Sequence, residues 1–232
     1  MPSLNFFKGL KNFMKKITIV TGHYGSGKTN LSVNLAVKAV QEGKSVAVVD
    51  LDLVNPYFRT ADFREFFESK GIKLIAPDFA NSNLDVPSIQ FDIEQLAINE
   101  DCLIIDVGGD DAGAFALGRF AESLSQFKND TDMLYVINQR RYLTETAEDA
   151  AKLMYEIESA ARLKHTAIVN NTNLGRETTV EIIKKSSDFA KKINKKTGLP
   201  LAFTTCPEEL CELIDMPDIF SVKVYVKPLW EL

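Results

Sequence analysis

Residues 22–29 read Gly-His-Tyr-Gly-Ser-Gly-Lys-Thr and complete the pattern G-x-x-x-x-G-K-[ST]. The chemistry open to such a run is the binding of a polyphosphate. Gly22, Gly25 and Gly27 let the backbone turn so that successive N–H groups converge on phosphate oxygens. His23, Tyr24 and Ser26 fill the loop between them and Asn30 follows it, so all of 22–30 is expected to line the ligand. Lys28 would reach the β- and γ-phosphates, and the Thr29 hydroxyl would ligate Mg²⁺. The pattern carries meaning only between a strand and a helix. Here the apolar Ile17-Thr-Ile-Val20 precedes it and Asn30-Leu-Ser-Val-Asn-Leu-Ala36 follows it.

Two further runs end in carboxylates. Val46-Ala-Val-Val-Asp50-Leu-Asp52 has the form of a buried strand whose alternation puts Asp50 and Asp52 on one side. Paired carboxylates repel unless a cation separates them, and Mg²⁺ on a triphosphate supplies one. One of the two could then hold a metal-bound water while the other orients the attacking water. Cys102-Leu-Ile-Ile-Asp106-Val-Gly-Gly109 is a second such strand, leading into Asp-x-x-Gly. Asp106 would contact the magnesium shell, and the Gly109 N–H could sense the γ-phosphate, in a loop that changes state on hydrolysis. Asp110 and Asp111 follow and read as solvated turn residues.

The elements that must position these groups alternate along the chain. Strands are expected at 16–21, 45–50, 72–76, 102–107, 133–138, 165–170 and 201–205, and helices at 28–42, 58–69, 113–127, 144–162 and 176–197. Val- and Ile-rich strands without polar alternation are buried on both faces, as in a parallel sheet covered by helices. Gly43, Gly71 and Gly198 fall where helix C-terminal caps would sit. Segment 77–100, rich in Asn, Asp and Pro, reads as a long loop with a short helix near the sheet edge. The expectation is an α/β fold: a doubly wound, mostly parallel β-sheet flanked by helices, occupying residues 16–232. Residues 1–15 form a separate amphipathic extension. Its Phe6, Phe7, Leu10, Phe13 and Met14 share one arc of a helical wheel, with Lys8, Lys11, Lys15 and Lys16 outside it. Peripheral contact with an anionic membrane and packing back on the domain both suit such a segment.

A net charge of −5 and a pI near 5.2 argue against a surface built for nucleic acid. The lysine-rich face of helix 176–197 is read as solvated, so DNA is not an expected partner. Cys102, Cys206 and Cys211 make no even disulfide framework and no C-x-x-C, which points to a reducing, cytoplasmic setting. No apolar stretch approaches the ~18 residues of a membrane span.

Phosphate loop, strand ending Asp-x-Asp and strand ending Asp-x-x-Gly, in that order, resemble the MinD/ParA/CobQ group (SIMIBI class) of P-loop ATPases. The stretch Leu199-Pro-Leu-Ala-Phe-Thr-Thr-Cys206-Pro207-Glu208 is similar to the one with which that group lines its adenine pocket. Asn171 and Asn173 stand where it places a base-recognising Asn. The resemblance runs from about residue 16 to 214. It implies the P-loop NTPase fold, ATP and Mg²⁺ as cofactors, and an ATP hydrolase. Lys28 and Asp52 would be its catalytic residues, Asp52 orienting water, and Thr29, Asp50 and Asp106 its magnesium ligands. It also implies an ATP-dependent homodimer acting on a protein partner or cargo that the sequence does not name. The alternative within the same group is an ATP-dependent small-molecule kinase or ligase of the dethiobiotin synthetase or CobQ type. An Asn at 173, where guanine-specific relatives carry an Asp, favours ATP over GTP.

Two features of the group are missing. His23 stands at the position of a second lysine, and a neutral imidazole lacks its permanent charge. Either the sandwich dimer is absent or another cation replaces the lysine; Arg59 is the candidate, with Arg119 and Arg140 behind it. The C-terminus shows no basic amphipathic helix but the short alternating Lys223-Val-Tyr-Val. Cys206 and Cys211 lie too far apart and in the wrong context to be the paired cysteines by which iron–sulfur carriers of the group bridge a cluster, and Cys206 is expected to pack beside the base.

Overall fold

The computed structural model describes residues 14–52, 63–76 and 91–226. The N-terminal extension up to residue 13, Arg59, most of the 77–100 loop and the last six residues lie outside that set. Eight strands form one sheet: β1 (Ile17–Gly22), β2 (Val46–Leu51), β3 (Lys73–Ile75), β4 (Cys102–Val107), β5 (Thr131–Ile137), β6 (Ala167–Asn170), β7 (Leu201–Pro207) and β8 (Ile219–Val222). Their order is β3-β2-β4-β1-β5-β6-β7-β8, and every neighbouring pair is parallel. The chain first moves outward from β1 to β2 and later crosses it between β4 and β5. That reversal opens a crevice beyond the C-terminal end of β1, the usual ligand position of an open α/β sheet.

The helices are α1 (Lys28–Gln41), α2 (Arg64–Ser69), α3 (Ile93–Asn99), α4 (Asp111–Gly118), α5 (Ala121–Ser125), α6 (Ala147–Ala161) and α7 (Val180–Thr197). One face of the sheet packs Val20, Val48, Ile104 and Val136 against Leu31, Val33 and Leu35 of α1 and Phe67 of α2. The opposite face packs Ile19, Val49 and Ile105 against Leu96 of α3 and Leu117 of α4, and Tyr135 and Ile168 against Met154 of α6 and Phe189 of α7. This division follows from the uninterrupted apolar strands: β1, β2 and β4 are buried at every position.

Several expectations needed correction. The helix foreseen over 113–127 is two. Arg162 donates a hydrogen bond to the Gly118 carbonyl, taking that oxygen out of the helical ladder, and the chain turns before α5. The short helix of the 77–100 region is α3, capped by the Asp92 side chain. It lies over β4 and beside α5, not near the sheet edge, because Ile93, Leu96 and Ala97 complete the core there. The eighth strand had no counterpart in the sequence reading. Residues 219–222 pair with β7, and the alternating segment from Lys223 continues past the strand end.

Leu103 sits fully buried on β4 between β2 and β1. Leu103→Ala is expected to lower unfolding stability by about 2–5 kcal/mol, as a cavity in a strand clamped on both sides; the shift of the urea midpoint measures it.

Candidate functional site

The turn from β1 into α1 needs a glycine at its first position. A Cβ on Gly22 would stand 2.3 Å from the Val136 carbonyl oxygen of the neighbouring strand. At the other end, Gly27 is left-handed (φ 90°, ψ 22°) and no side chain caps the first turn of α1. The first-turn N–H groups of α1 therefore face the loop, which together with the helix dipole is the arrangement that binds anions. The Ser26 hydroxyl, buried inside this loop, has no hydrogen-bond partner.

Lys28 is buried, and its ammonium donates to the His23 carbonyl at 3.1 Å. Burial lowers its pKa, against the opposing pull of Asp106, Asp52 and Asp110. These acids come from neighbouring strand tips. Asp50 and Asp106 are register partners on β2 and β4. They follow Val48 and Ile104 by two residues, so alternation directs them to the α1 face. There Ser32 of α1 donates to Asp106 Oδ1 at 3.1 Å, and the Asp52 N–H donates to Asp50 Oδ1 at 2.9 Å. Asp50, Asp52 and Asp106 are all buried, and Thr29 stands half-buried in the first turn of α1. Among the described residues no group of three or more His, Cys, Asp and Glu is arranged to hold a metal alone. Magnesium is ordinarily held by one or two protein groups plus phosphate oxygens, and Thr29 with Asp50 and Asp106 fits that division.

The loop after β4 rests on the phosphate loop. A Cβ on Gly109 would lie 2.6 Å from the Tyr24 nitrogen and 2.8 Å from the Lys28 Nζ. Gly108 lies against the Asp52 carboxylate, and Gly113 of α4 lies against the Gly108 backbone. Asp110, expected to be a solvated turn residue, caps α4 by accepting from the Gly113 N–H at 2.9 Å, and its charge reaches Lys28. Asp110 thus belongs to the charge balance of the site.

The other predicted contacts divide. His23 donates through Nδ1 to the Tyr24 carbonyl at 2.7 Å, and its pKa is lowered, by burial first and also by Lys28 and Arg141. Tyr24 is half-exposed at the mouth of the crevice. The Asn171 amide is clamped, donating to the Ser26 carbonyl at 2.6 Å and accepting from Thr205 at 2.5 Å. Asn173 donates to the Asn171 carbonyl at 2.8 Å and accepts from the Gly175 N–H at 3.3 Å. Both amides therefore brace the phosphate loop and its neighbour rather than stand open toward a base. Asn30 holds the C-terminal segment, donating to the Lys223 carbonyl and accepting from the N–H groups of Tyr225 and Val226. Glu208 pairs with Lys223 at 3.3 Å. The Cys206 side chain packs with Ile183, Ile214 and Ile219 beneath α7, and Cys211 packs against the same cluster. One turn after β7 folds residue 211 back over 206.

Among the described residues, Arg141 places a cation beside the loop; the sequence does not single it out. Its guanidinium lies along Gly25, its Nε 3.3 Å from where a Cβ would stand. Arg140 is exposed, as Arg141 is, and Arg119 follows α4 at the end remote from Gly109. Nothing in the sequence separates Arg140 from Arg141; the turn at Asn138–Thr144 does, through Arg141 N–H to Asn138 O and Thr144 N–H to Arg141 O.

The pattern of the CobQ/CobB/MinD/ParA nucleotide binding domain matches residues 17–199. The chain belongs to this family. Tyrosine-protein kinase YwqD of Bacillus subtilis (strain 168) is 39% identical over 59 residues, 25% of each protein. Cell division protein FtsY of Thermotoga maritima superposes with a TM-score of 0.58 at 20% identity, over 89% of this chain and 66% of that one. The 54 kDa signal recognition particle protein of Aeropyrum pernix, in complex with GDP, gives 0.53 at 18% identity, over 84% and 42%. This chain thus spans a quarter of the kinase, 66% of the FtsY chain and 42% of the signal recognition particle protein. At such identities the solved structures speak to the fold, which they share as P-loop NTPases. Family and fold together make this a nucleotide-binding P-loop domain of the MinD/ParA/CobQ kind.

Behind the phosphate loop, Thr21 Oγ1 lies 2.7 Å from His165 Nε2, and Glu158 accepts from the His165 N–H at 3.0 Å and from Lys164 at 2.6 Å. Burial lowers the His165 pKa from 6.5, and the bonds from His165 and Lys164 outweigh burial to hold Glu158 at about 2. A histidine depressed by folding stabilises fully above its unfolded pKa and loses that contribution as pH falls below about 6.5. Glu158 contributes a constant amount down to about pH 4.5. The melting temperature is therefore expected to drop between pH 7 and pH 5, and to drop less steeply in His165→Gln; parallel slopes would contradict this assignment.

Proposed function

We propose that this domain binds Mg-ATP and acts as a nucleotide-driven switch on a protein partner, hydrolysing ATP to reset. The observation that carries this reading is the seat of Gly109 on the Tyr24 backbone and the Lys28 ammonium. A loop wedged there must yield when Lys28 turns from the His23 carbonyl toward a phosphate. Its displacement passes through Asp110 and Gly113 into α4, whose Phe115 is exposed. Tyr24, Tyr142 and Leu143 add further exposed apolar side chains on the adjoining loops, and this is the surface assigned to the partner.

Bound magnesium would neutralise charge on the β- and γ-phosphates and fix their geometry. The chain's own residues do the rest. The N–H groups of the loop and of the first turn of α1 orient the phosphates, and Lys28 adds a buried positive charge. Asp52, 3.2 Å from the Cβ position of Gly108, orients the attacking water and can accept its proton. Arg141 supplies along Gly25 the permanent charge that His23 lacks. The resemblance to the MinD/ParA/CobQ group of ATPases is what supports ATP as the nucleotide.

Three substitutions separate these roles. Lys28→Ala should abolish the heat of Mg-ATP binding in calorimetry. Asp52→Asn should bind within about threefold of the parent and lose about 10² or more of turnover, because it removes only what the transition state uses. Arg141→Ala should slow phosphate release by about tenfold or more with binding retained, and Arg141→Lys should restore part of it. Steady phosphate release with no added carboxylate acceptor supports the switch; strict dependence on such an acceptor would replace it with a small-molecule kinase or ligase.

A further inference from the structure

At the end of β7, Pro207 and a single tight turn at Glu208–Leu210 bring Cys211 back over Cys206. The Cys211 thiol donates to the Cys206 carbonyl at 3.5 Å and to the Pro207 carbonyl at 3.3 Å, and both cysteines pack into one cluster with Ile183, Ile214 and Ile219. Ser221 is the β8 register partner of Cys206. The pair is asymmetric: Cys206 is fully buried and Cys211 is half-buried. A thiol that solvent can reach, folded back over the residue of a second one sheltered from it, is the arrangement of an attacking and a resolving cysteine.

We propose that Cys206 and Cys211 form a reversible dithiol–disulfide site, oxidised by a hydroperoxide and reduced by a small dithiol, whose closure weakens nucleotide binding. The second half rests on the Mg-ATP reading above; the first does not. Cys211 is the nucleophile. The neighbouring Cys206 and, after it, Ser221 lower its pKa against the effect of burial, which favours the thiolate. Its sulfur attacks one peroxide oxygen, the O–O bond breaks, and the departing hydroxide takes up a proton as water. The Cys206 sulfur then attacks the resulting sulfenic acid, an S–S bond replaces the S–O bond, and the second hydroxide leaves as water with the Cys206 proton. Two electrons pass from the dithiol to the peroxide. Cys102, buried with its pKa pushed up to about 11, stays out of this chemistry.

The link to the nucleotide runs through the turn that the disulfide would tighten. Glu208 opens that turn and pairs with Lys223. The Lys223 backbone is gripped from both sides by α1: its N–H donates to Asn34 at 2.8 Å, and its carbonyl accepts from Asn34 at 2.9 Å and from Asn30 at 3.0 Å. Asn30 directly follows Thr29. A change in the 207–211 turn is thereby passed to the first turn of α1.

The test uses the full chain, reduced and then treated with hydrogen peroxide near pH 7.5. The intact mass should fall by about 2 Da, peptide mapping should join Cys206 to Cys211 with Cys102 still a thiol, and dithiothreitol should reverse the change. Cys211→Ser, a change at the half-exposed position, should remove the mass loss. Calorimetry should then find Mg-ATP bound about fivefold or more weakly by the oxidised protein. An unchanged mass, oxygen added without a disulfide, or a link between two chains would overturn the site. A disulfide with unaltered Mg-ATP affinity, or no Mg-ATP binding by either form, would overturn the coupling and leave the thiol result standing.

Discussion

The rest of the site depends on one constraint: the ammonium of Lys28 is buried at the tip of β1. A buried charge is costly unless it is paired and hydrogen-bonded. The fold answers with the His23 carbonyl on one side and the charges of Asp52, Asp106 and Asp110 around it. Each of those acids is delivered by a different piece of architecture. The parallel register of β2 and β4 sets Asp50 beside Asp106. The chain leaving β2 carries Asp52, and the cap of α4 fixes Asp110. Carboxylates outnumber the lysine here, and that excess suits a divalent cation brought in with a polyphosphate.

The same burial ties recognition to motion. Lys28 and Gly109 lie so close that a methyl group would not fit between them, and the proposed switch uses that contact to pass a shift of the ammonium to the loop. Asn171 links the phosphate loop to Thr205 on β7, and the pair of Thr21 and His165 braces the strand just before Gly22. One side of the crevice is thus cross-braced, and the proposed movement belongs to the loop from Gly108 into α4. The exposed Phe115 on that helix gives the shift an outward face.

What the sequence made legible was whatever depends on local pattern. The phosphate loop, the unbroken apolar strands β1, β2 and β4, and the acids at their ends were readable because period and neighbouring residues dictate them. Contacts set by distant partners were not. The break after Gly118 comes from Arg162, and the choice of Arg141 over Arg140 comes from the turn at Asn138. The contact of Cys206 with Cys211 comes from one tight turn after β7. Strand β8 was missed because Ile219-Phe-Ser-Val222 is a four-residue run beside Pro217, too short to stand out until β7 offers it an edge. The hydrogen bonds of Asn30, Asn171 and Asn173 to backbone groups and a Thr205 hydroxyl are of the same distant kind, and position in the sequence does not show them.

The switch is tested most directly by hydrogen exchange followed by mass spectrometry, with magnesium and either a non-hydrolysable ATP analogue or ADP. Both nucleotides should protect residues 22–30, and only the triphosphate should change exchange across residues 108–118. Protection confined to the phosphate loop and identical for both nucleotides would contradict it, since Lys28 would then bind phosphate without moving Gly109.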